Sequence, residues 1–241
     1  MAEVLRSLRL HGVGGPARAS VRALDAEGVA LSLLAGPDRL TAEPVWCQPE
    51  LSARFEELQF TLGEGPGPEA LTTGSPVLEP DLDRVRPERW PTLLPAAREL
   101  GVNGVCCFPL GIGAIRVGVL TVLCDPGRLP NEQQYADAGA LAAALTAAFL
   151  DGGRSRQGDG EHPDPGMVVQ ASSLHRAAVH QATGMVSVQL GVTMEVALLR
   201  LRAHSYASDR PLGEVAQDVV ARRLRFEDDM SGPTSPDRGK G

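Results

Sequence analysis

The sequence predicts an α+β domain followed by a small all-α module, and three observations lead to this prediction. Short apolar segments bounded by turn residues recur over residues 1–150, as in an antiparallel sheet flanked by helices. Apolar residues recur at helical spacing over residues 167–226. Between these regions, residues 151–166 hold no apolar side chain except proline, which predicts a linker. Residues 227–241 are similarly polar and are expected to form a disordered tail.

The elements of the first domain follow from local patterns along the chain. Apolar runs at 28–34 and 43–48 flank the turn residues Gly36, Pro37 and Asp38, which predicts two adjacent antiparallel strands. Apolar residues then recur at spacings of four and three, which predicts a helix. The elements expected after the first strand pair are helices at 50–60, 69–73, 95–100 and 131–150 and strands at 76–78, 104–110 and 118–124.

The last strand pair and the last helix of this domain have the clearest signals. A glycine-rich turn divides the two strands, and Pro109 lacks the N–H of a strand residue, so the end of the first strand is expected to be an edge or a bulge. Asn131 with Gln134 three residues later is a capping box. The helix that follows, and the first helix of the C-terminal module at 168–189, each have an apolar stripe suited to pairing with a second chain, which predicts a homodimer. The stripe of the helix at 131–150 consists of Ala138, Leu141, Ala142, Leu145 and Phe149.

Several short segments of the first domain occur in the order and at the spacing typical of one sensory family. They are LGEGP at 62–66, GSPV at 74–77, DL at 81–82, RWP at 89–91, the segment 101–110 that ends in FPL, and GVLTVL at 118–123. Through them, residues 15–150 resemble the GAF family. The resemblance implies an antiparallel sheet with a pocket on one face, used in the family for cyclic nucleotides, chromophores, haem or metabolites. Whether a small molecule or a partner protein is sensed here stays open.

The sequence offers no clear catalytic or cofactor chemistry. The four cysteines lack C-x-x-C spacing and lie in apolar surroundings, so buried reduced thiols are expected at Cys47, Cys106, Cys107 and Cys124. The glycines of LGEGPGP alternate with prolines that lack N–H donors, which favours a turn over a phosphate cradle. Among the histidines only His11 precedes residue 160, so a histidine-ligated metal in the sensor is not expected. We therefore expect no cofactor, no metal and no enzyme, and catalysis in the sensor pocket is kept as a weaker alternative.

The C-terminal module is predicted to contain three helices, at 168–189, 194–205 and 212–224. Gly191 is expected to end the first helix, and Thr193 to cap the second. The segments HQATGMV at 180–186, LGVTMEVALLRLRAHS at 190–205 and RPLGEVAQDVV at 210–220 resemble the ANTAR family. The resemblance implies a module that binds paired RNA stem-loops and prevents transcription termination. The family usually has a lysine where this sequence has Thr183.

The charge distribution agrees with an RNA partner for this module alone. Residues 1–150 contain 12 arginines and 18 acidic residues, a net charge of −6, whereas residues 172–226 contain seven arginines and four acidic residues, a net charge of +3. The arginines are expected to gather along one exposed side and to contact phosphates, with Arg200 and Arg202 on the solvent side of the second helix. Tyr206 is expected to stack on a base, and Gln181 and Thr183 are candidates through the resemblance alone. The candidate RNA-binding residues are Gln181, Thr183, Arg200, Arg202, Tyr206, Arg210, Arg222 and Arg223.

Two alternatives stay open. Arg222, Arg223 and Arg225 near the end of the third helix can also be explained as partners of the helix dipole. The alternative to RNA binding is that the module docks a partner protein without RNA, which agrees with Thr183 in place of the lysine usual in the family. No apolar stretch approaches the ~20 residues of a membrane span, and no signal peptide is recognisable, so a cytoplasmic protein without a membrane contact is expected.

Overall fold

The computed structural model describes residues 17–35, 41–125, 130–155 and 167–226, together with Val4. The chain divides into two compact units, Met1–Ser173 and Leu174–Gly241. The predicted linker begins inside a helix, because the last helix of the first unit continues to Ser155, five residues past its expected end. The rest of that linker and the predicted tail, 156–166 and 227–241, lie outside the described residues.

The first unit contains a five-stranded antiparallel sheet in the order β2-β1-β5-β4-β3. The strands are β1 (Gly28–Ala35), β2 (Thr41–Gln48), β3 (Val77–Glu79), β4 (Gly104–Ile112) and β5 (Ile115–Cys124). Its helices are α1 (Ala17–Leu24), α2 (Glu50–Leu62), α3 (Pro66–Thr73), α4 (Leu93–Leu100) and α5 (Glu132–Ser155). The α+β class is confirmed. Helix α3 begins three residues before the predicted start, since Pro66 occupies the first helical turn, where a missing N–H costs nothing.

The sheet is covered on both faces, and the alternation of side chains along its strands divides the core into two clusters. Cys106, Phe108 and Leu110 of β4 face one way and pack with Leu141 and Leu145 of α5. Cys107 lies between Cys106 and Phe108 on β4 and faces the other way. It belongs to the second cluster, which packs with α2, α3 and α4. This second cluster contains Phe55, Ala70, Val77, Leu82, Leu93, Ala97, Val105, Cys107, Val119 and Leu123. A sheet buried on both faces explains why β4 and β5 read as continuous apolar runs.

The expected behaviour of Pro109 is observed. Strand β3 pairs with β4 only from Val105 to Cys107, so beyond that point β4 has a hydrogen-bonded neighbour on one side alone. The pairing with β5 shifts register just after Pro109, between Leu110 and Gly111. A residue without an N–H is tolerated at such a local edge.

The apolar stripe of α5 corrects one expectation. Ala138, Leu141, Ala142 and Leu145 are buried against the sheet of the same chain, with Phe149 37% exposed at the end of the stripe. The stripe therefore belongs to the core and is not a surface for pairing with a second chain. The capping box at its start is confirmed, because the Gln134 N–H donates to Asn131 Oδ1 (2.9 Å) and the Asn131 N–H to Gln134 Oε1 (2.8 Å).

A buried carboxylate joins α2 to the sheet. Glu56 is 6% exposed and accepts hydrogen bonds from Ser32 Oγ (2.5 Å) on β1, Thr121 Oγ1 (2.7 Å) on β5 and Gln59 Nε2 (3.2 Å). The Gln59 side chain also accepts from the Gly67 N–H (2.8 Å). The glycine-rich loop before α3 is thus a turn closed over a glutamine side chain, as expected, rather than a phosphate cradle.

The second unit consists of α6 (Met167–Leu190), of which the segment from residue 174 belongs to it, α7 (Met194–Ala207) and α8 (Leu212–Val220). Gly191 follows α6 with φ +63°, and Thr193 caps α7 by accepting from the Val196 N–H, both as predicted. The three helices share one aliphatic core. It consists of Val179, Ala182, Val186, Ala197, Leu198, Leu201, Leu212, Val215, Ala216 and Val219.

Helix α8 ends four residues before the predicted end at residue 224. Arg222 adopts a left-handed backbone conformation (φ +60°), and the Arg223 and Leu224 N–H groups donate back to Asp218 O. The chain therefore turns away from the helix axis, and Arg222, Arg223 and Arg225 lie after the helix instead of in its last turn.

The described ranges hold neither a membrane-spanning helix nor a metal-binding cluster of side chains. No single helix there is long and apolar enough to span a membrane, and the pair 176–190 and 194–207, which meets the length and composition together, is bent by 107°. No set of three or more His, Cys, Asp or Glu side chains in these ranges is placed to hold a metal ion.

Candidate nucleic-acid interface

An open groove of about 780 Å³ lies on the second unit. One wall is the outer face of α6, where residues 181, 185 and 188 recur at helical spacing, and the other wall is the segment after α8. We call it the basic groove. Its lining residues are Gln181, Gly184, Met185, Val188, Gln189, Arg222, Arg225 and Phe226.

Two contacts hold the segment after α8 beside α6. The Phe226 N–H donates to Gln189 Oε1 (3.1 Å), and the Phe226 ring meets His204 of α7 edge to face at 5.4 Å between centroids. The turn at Arg222 sets the direction of this segment. Positions 222 and 225 are thereby brought to the groove, although they are more than 30 residues from the α6 residues that they face.

The basic groove combines cations, amides and apolar surface. Arg222 and Arg225 are exposed, and neither forms an ion pair with another residue of the described ranges. Gln181 presents an exposed amide, and Val188 is 84% exposed. Guanidinium groups bind phosphates, amides read base edges, and apolar side chains contact base faces, so the groove matches the chemistry of an RNA loop.

Arg200 and Tyr206 lie on α7, outside the groove lining. Arg200 is exposed one helical turn before His204, whose ring touches the groove residue Phe226, so Arg200 lies toward the groove. Tyr206 is 74% exposed but lies two residues from His204, on a different side of the helix. The structure therefore brings Gln181 and Arg222 together, with Arg200 nearby, and leaves Tyr206 apart.

The other candidate residues have intramolecular roles. Thr183 is buried, and its hydroxyl donates to Val179 O (2.7 Å) inside α6. Arg202 was expected on the solvent side of its helix, but it is half-buried, and burial lowers its pKa to about 10. Arg176, counted in the basic charge of the module, is 1% exposed. The expectation that the arginines share one exposed side is wrong for these two.

Arg210 and Arg223 share one carboxylate. Asp218 Oδ2 is 2.7 Å from Arg210 Nη2, and Asp218 Oδ1 is 2.7 Å from Arg223 Nη2. The hydrogen bond from Arg210, followed by that from Arg223, lowers the pKa of Asp218, so the carboxylate stays ionised and both cations are partly neutralised.

This carboxylate gives a prediction about nucleic-acid affinity. We expect Asp218→Asn to strengthen RNA binding by roughly three- to tenfold at low salt, because it removes one negative charge, frees Arg223 and leaves Arg210 only its longer contact with Glu214 (3.9 Å). Fluorescence anisotropy with a labelled stem-loop RNA measures the change. Glu195→Gln is the matched control, since it removes one exposed negative charge from α7 and frees no arginine of the described ranges. Equal gains in the two variants would contradict a role for the pairing.

Sequence reasoning missed Met185, Val188, Gln189, Arg225 and Phe226 as parts of the candidate site. One signal was available, because Gln181, Met185 and Val188 form a second helical stripe beside the core stripe of α6. The others join the site only through the turn after α8, which no local pattern indicates.

Comparisons with known proteins identify an ANTAR domain in the C-terminal part of the chain. The family model of the ANTAR domain matches residues 169–220, which confirms the predicted module. The α6 wall of the basic groove lies within the matched segment, whereas Arg222, Arg225 and Phe226 follow it. A comparison with curated proteins found no match.

Solved structures similar to this chain include GAF domains. The GAF domain of a phosphoenolpyruvate-protein phosphotransferase from Acinetobacter is 11% identical, covers 66% of this chain and 95% of its own, and has a TM-score of 0.48. The corresponding domain from Coxiella burnetii is 16% identical, with coverages of 64% and 94% and a TM-score of 0.46. Free methionine-R-sulfoxide reductase from Neisseria meningitidis, solved with its substrate, is 16% identical, with coverages of 64% and 88% and a TM-score of 0.47.

Proposed function

We propose that this chain, which carries an ANTAR domain at residues 169–220, is a signal-responsive RNA-binding regulator of transcription antitermination. The observation that supports the proposal most is the basic groove, in which two exposed arginines face glutamine amides and apolar side chains on one surface. The first unit has the opposite net charge, −6 over residues 1–150, so RNA is directed to the second unit.

Each part of the groove has a role in holding an RNA loop. Arg222 and Arg225 contact the phosphates, with Arg200 near the rim, and these contacts give affinity without base preference. Gln181 donates and accepts hydrogen bonds at the edge of an unpaired base. Met185 and Val188 cover the face of that base, and Gly184, in the same wall of the groove, carries no side chain that would lift the base away from the helix.

The remaining parts of the proposal concern the assembly and its signal. We propose a cytoplasmic homodimer, because paired stem-loops require two sites and linking two sites raises the effective concentration of the second. The stripe of α5 is excluded as its interface, since those residues are buried in the chain itself. The first unit receives the signal, a small molecule or a partner protein, and controls the second.

One observation favours an alternative function, in which the second unit docks a partner protein without RNA. The outer face of α7 presents apolar side chains to solvent, with Val196 39%, Leu199 64% and Tyr206 74% exposed. Such a face fits a protein partner better than a phosphate backbone.

Crosslinking the native full-length chain to cellular RNA, followed by sequencing of the bound fragments, tests the proposal. We expect fragments that contain two neighbouring stem-loops, and the recovered RNA should bind the purified chain more tightly than a version with scrambled loops. Recovery of proteins with no RNA above the signal of unirradiated cells would instead support the docking function.

A further inference from the structure

Two of the four cysteines form a pair inside the first unit. Cys106 of β4 and Cys124 of β5 point to the same face of the sheet, and their Sγ atoms are 3.6 Å apart. Cys107 lies on the opposite face, where its thiol contacts Thr121, and Cys47 lies on β2. All four are free thiols.

A glycine opposite Cys124 permits this contact. In the antiparallel register Gly104 faces Cys124 and Val122 faces Cys106, so the two cysteines are diagonal neighbours. Gly104 has no side chain to occupy the position across from Cys124. A Cβ at that position would lie 3.1 Å from the Cβ of Cys124 and only 2.2 Å from Pro80 O. The Cys124 side chain therefore leans across the glycine toward Cys106.

The thiol pair lines a cavity of about 30 Å³ between the sheet and α5. Tyr135 and Ala138 of α5 form part of its wall, and the exposed residues Asp25 and Asp125 also line it, so the cavity reaches the surface. A cavity of this size holds one or two water molecules. A peroxide molecule is of similar size, whereas a metabolite the size of a nucleotide is far larger.

We propose that Cys106 and Cys124 are a redox-active dithiol that hydrogen peroxide oxidises to an intramolecular disulfide. One thiol loses its proton and attacks a peroxide oxygen, which forms an S–O bond, breaks the O–O bond and releases one water. The second sulfur then attacks the sulfenic acid, which forms the S–S bond, breaks the S–O bond and releases a second water. The cysteines lose two electrons, and hydrogen peroxide is reduced to two water molecules.

Closing the bond moves the two strands as well as the side chains, because diagonal neighbours of an antiparallel pair lie roughly 7–8 Å apart, beyond the usual Cα separation across a disulfide. A disulfide bond is about 2.05 Å long, so the two sulfur atoms must approach each other by about 1.5 Å. This movement changes the surface on which Tyr135 and Ala138 pack, because both line the same cavity. Oxidation is therefore expected to change how α5 packs against the sheet.

The surroundings of the pair determine how fast it reacts. The contact with Cys124 and burial raise the pKa of Cys106 well above that of an ordinary thiol. Within the described ranges, the titratable groups that line the cavity besides the two thiols are Tyr135, Asp25 and Asp125, and none of these is a cation that would stabilise a thiolate. Because the thiolate is the attacking species, oxidation is slow at neutral pH and accelerates about tenfold per pH unit as the pH rises.

Peptide mapping of the full-length chain tests the proposal. Reduced protein is treated with hydrogen peroxide at alkaline pH, where the thiolate is more populated, its free thiols are alkylated, and it is digested with trypsin without reduction. Cleavage after Arg98, Arg116 and Arg128 separates Cys124 from the two adjacent cysteines. We expect peptides 99–116 and 117–128 to be linked, with fragmentation placing the bond at Cys106 and dithiothreitol releasing it.

Variants provide the comparison. Cys106→Ser is expected to lose the linked peptides, and the matched variant Cys47→Ser to retain them. The assignment in the wild-type chain comes from fragmentation between Cys106 and Cys107, so it holds even where a variant folds poorly. The proposal is overturned by peroxide treatment that leaves all four thiols free, that oxidises them without a disulfide, or that links Cys124 to Cys107 instead.

Discussion

Replacement of Glu56 by alanine is expected to lower the free energy of unfolding of the first unit by about 3–5 kcal/mol. The substitution removes the carboxylate, so the donor groups of Ser32, Thr121 and Gln59 stay buried without their acceptor. Each buried donor left without a partner costs roughly 1–3 kcal/mol. Both tryptophans, Trp46 and Trp90, lie in the first unit, so urea unfolding followed by tryptophan fluorescence measures the effect there.

Two variants control this experiment. Glu88→Ala removes an exposed carboxylate of the same unit and is expected to change the free energy by less than about 0.5 kcal/mol. Glu56→Gln keeps the shape of the side chain but turns one acceptor into a donor, so an intermediate loss is expected. If Glu56→Ala were no more destabilising than Glu88→Ala, the buried network would have no part in stability.

The double variant Arg222→Ala, Arg225→Ala is expected to weaken binding of a stem-loop RNA by roughly 30- to 150-fold at low salt. Each arginine supplies one phosphate contact of the basic groove, worth roughly 1–1.5 kcal/mol when the neighbouring contacts remain. Both side chains are exposed, so the fold should be unaffected. Fluorescence anisotropy gives the dissociation constant, and far-ultraviolet circular dichroism checks the helix content.

Arg223→Ala is the matched control, because Arg223 lies between the two groove arginines in the chain but pairs with Asp218. Its loss should cost at most about threefold in affinity, since only long-range charge is removed. A loss as large as that of the double variant would mean that net charge alone, and not the groove, determines binding.

Local sequence patterns were sufficient to predict most of the elements of the fold. Strands β4 and β5 read as apolar runs because both faces of the sheet are covered, and Asn131 with Gln134 marks the start of α5 because the capping box involves only neighbouring residues. The Glu56 network was not predictable in this way. Its donors come from β1, β5 and α2, and only the folded chain brings them to one carboxylate.

The candidate site is even harder to predict from local sequence patterns than the Glu56 network. The sequence indicates a basic module, but it does not show that Asp218 neutralises Arg210 and Arg223 from eight and five residues away. It also predicts too long a third helix, because Leu224 continues the apolar spacing, whereas the left-handed backbone at Arg222 ends the helix and forms one wall of the groove. Tertiary contacts, not arginine content, determine which cations are available.

The salt dependence of RNA binding tests most directly the central claim that the arginines of the basic groove hold phosphates. The logarithm of the association constant is measured against the logarithm of salt concentration for the wild-type chain and for the double variant Arg222→Ala, Arg225→Ala. Removing two phosphate contacts predicts a slope shallower by about 1.5. Parallel lines for the two proteins, with or without a difference in affinity, would contradict the claim.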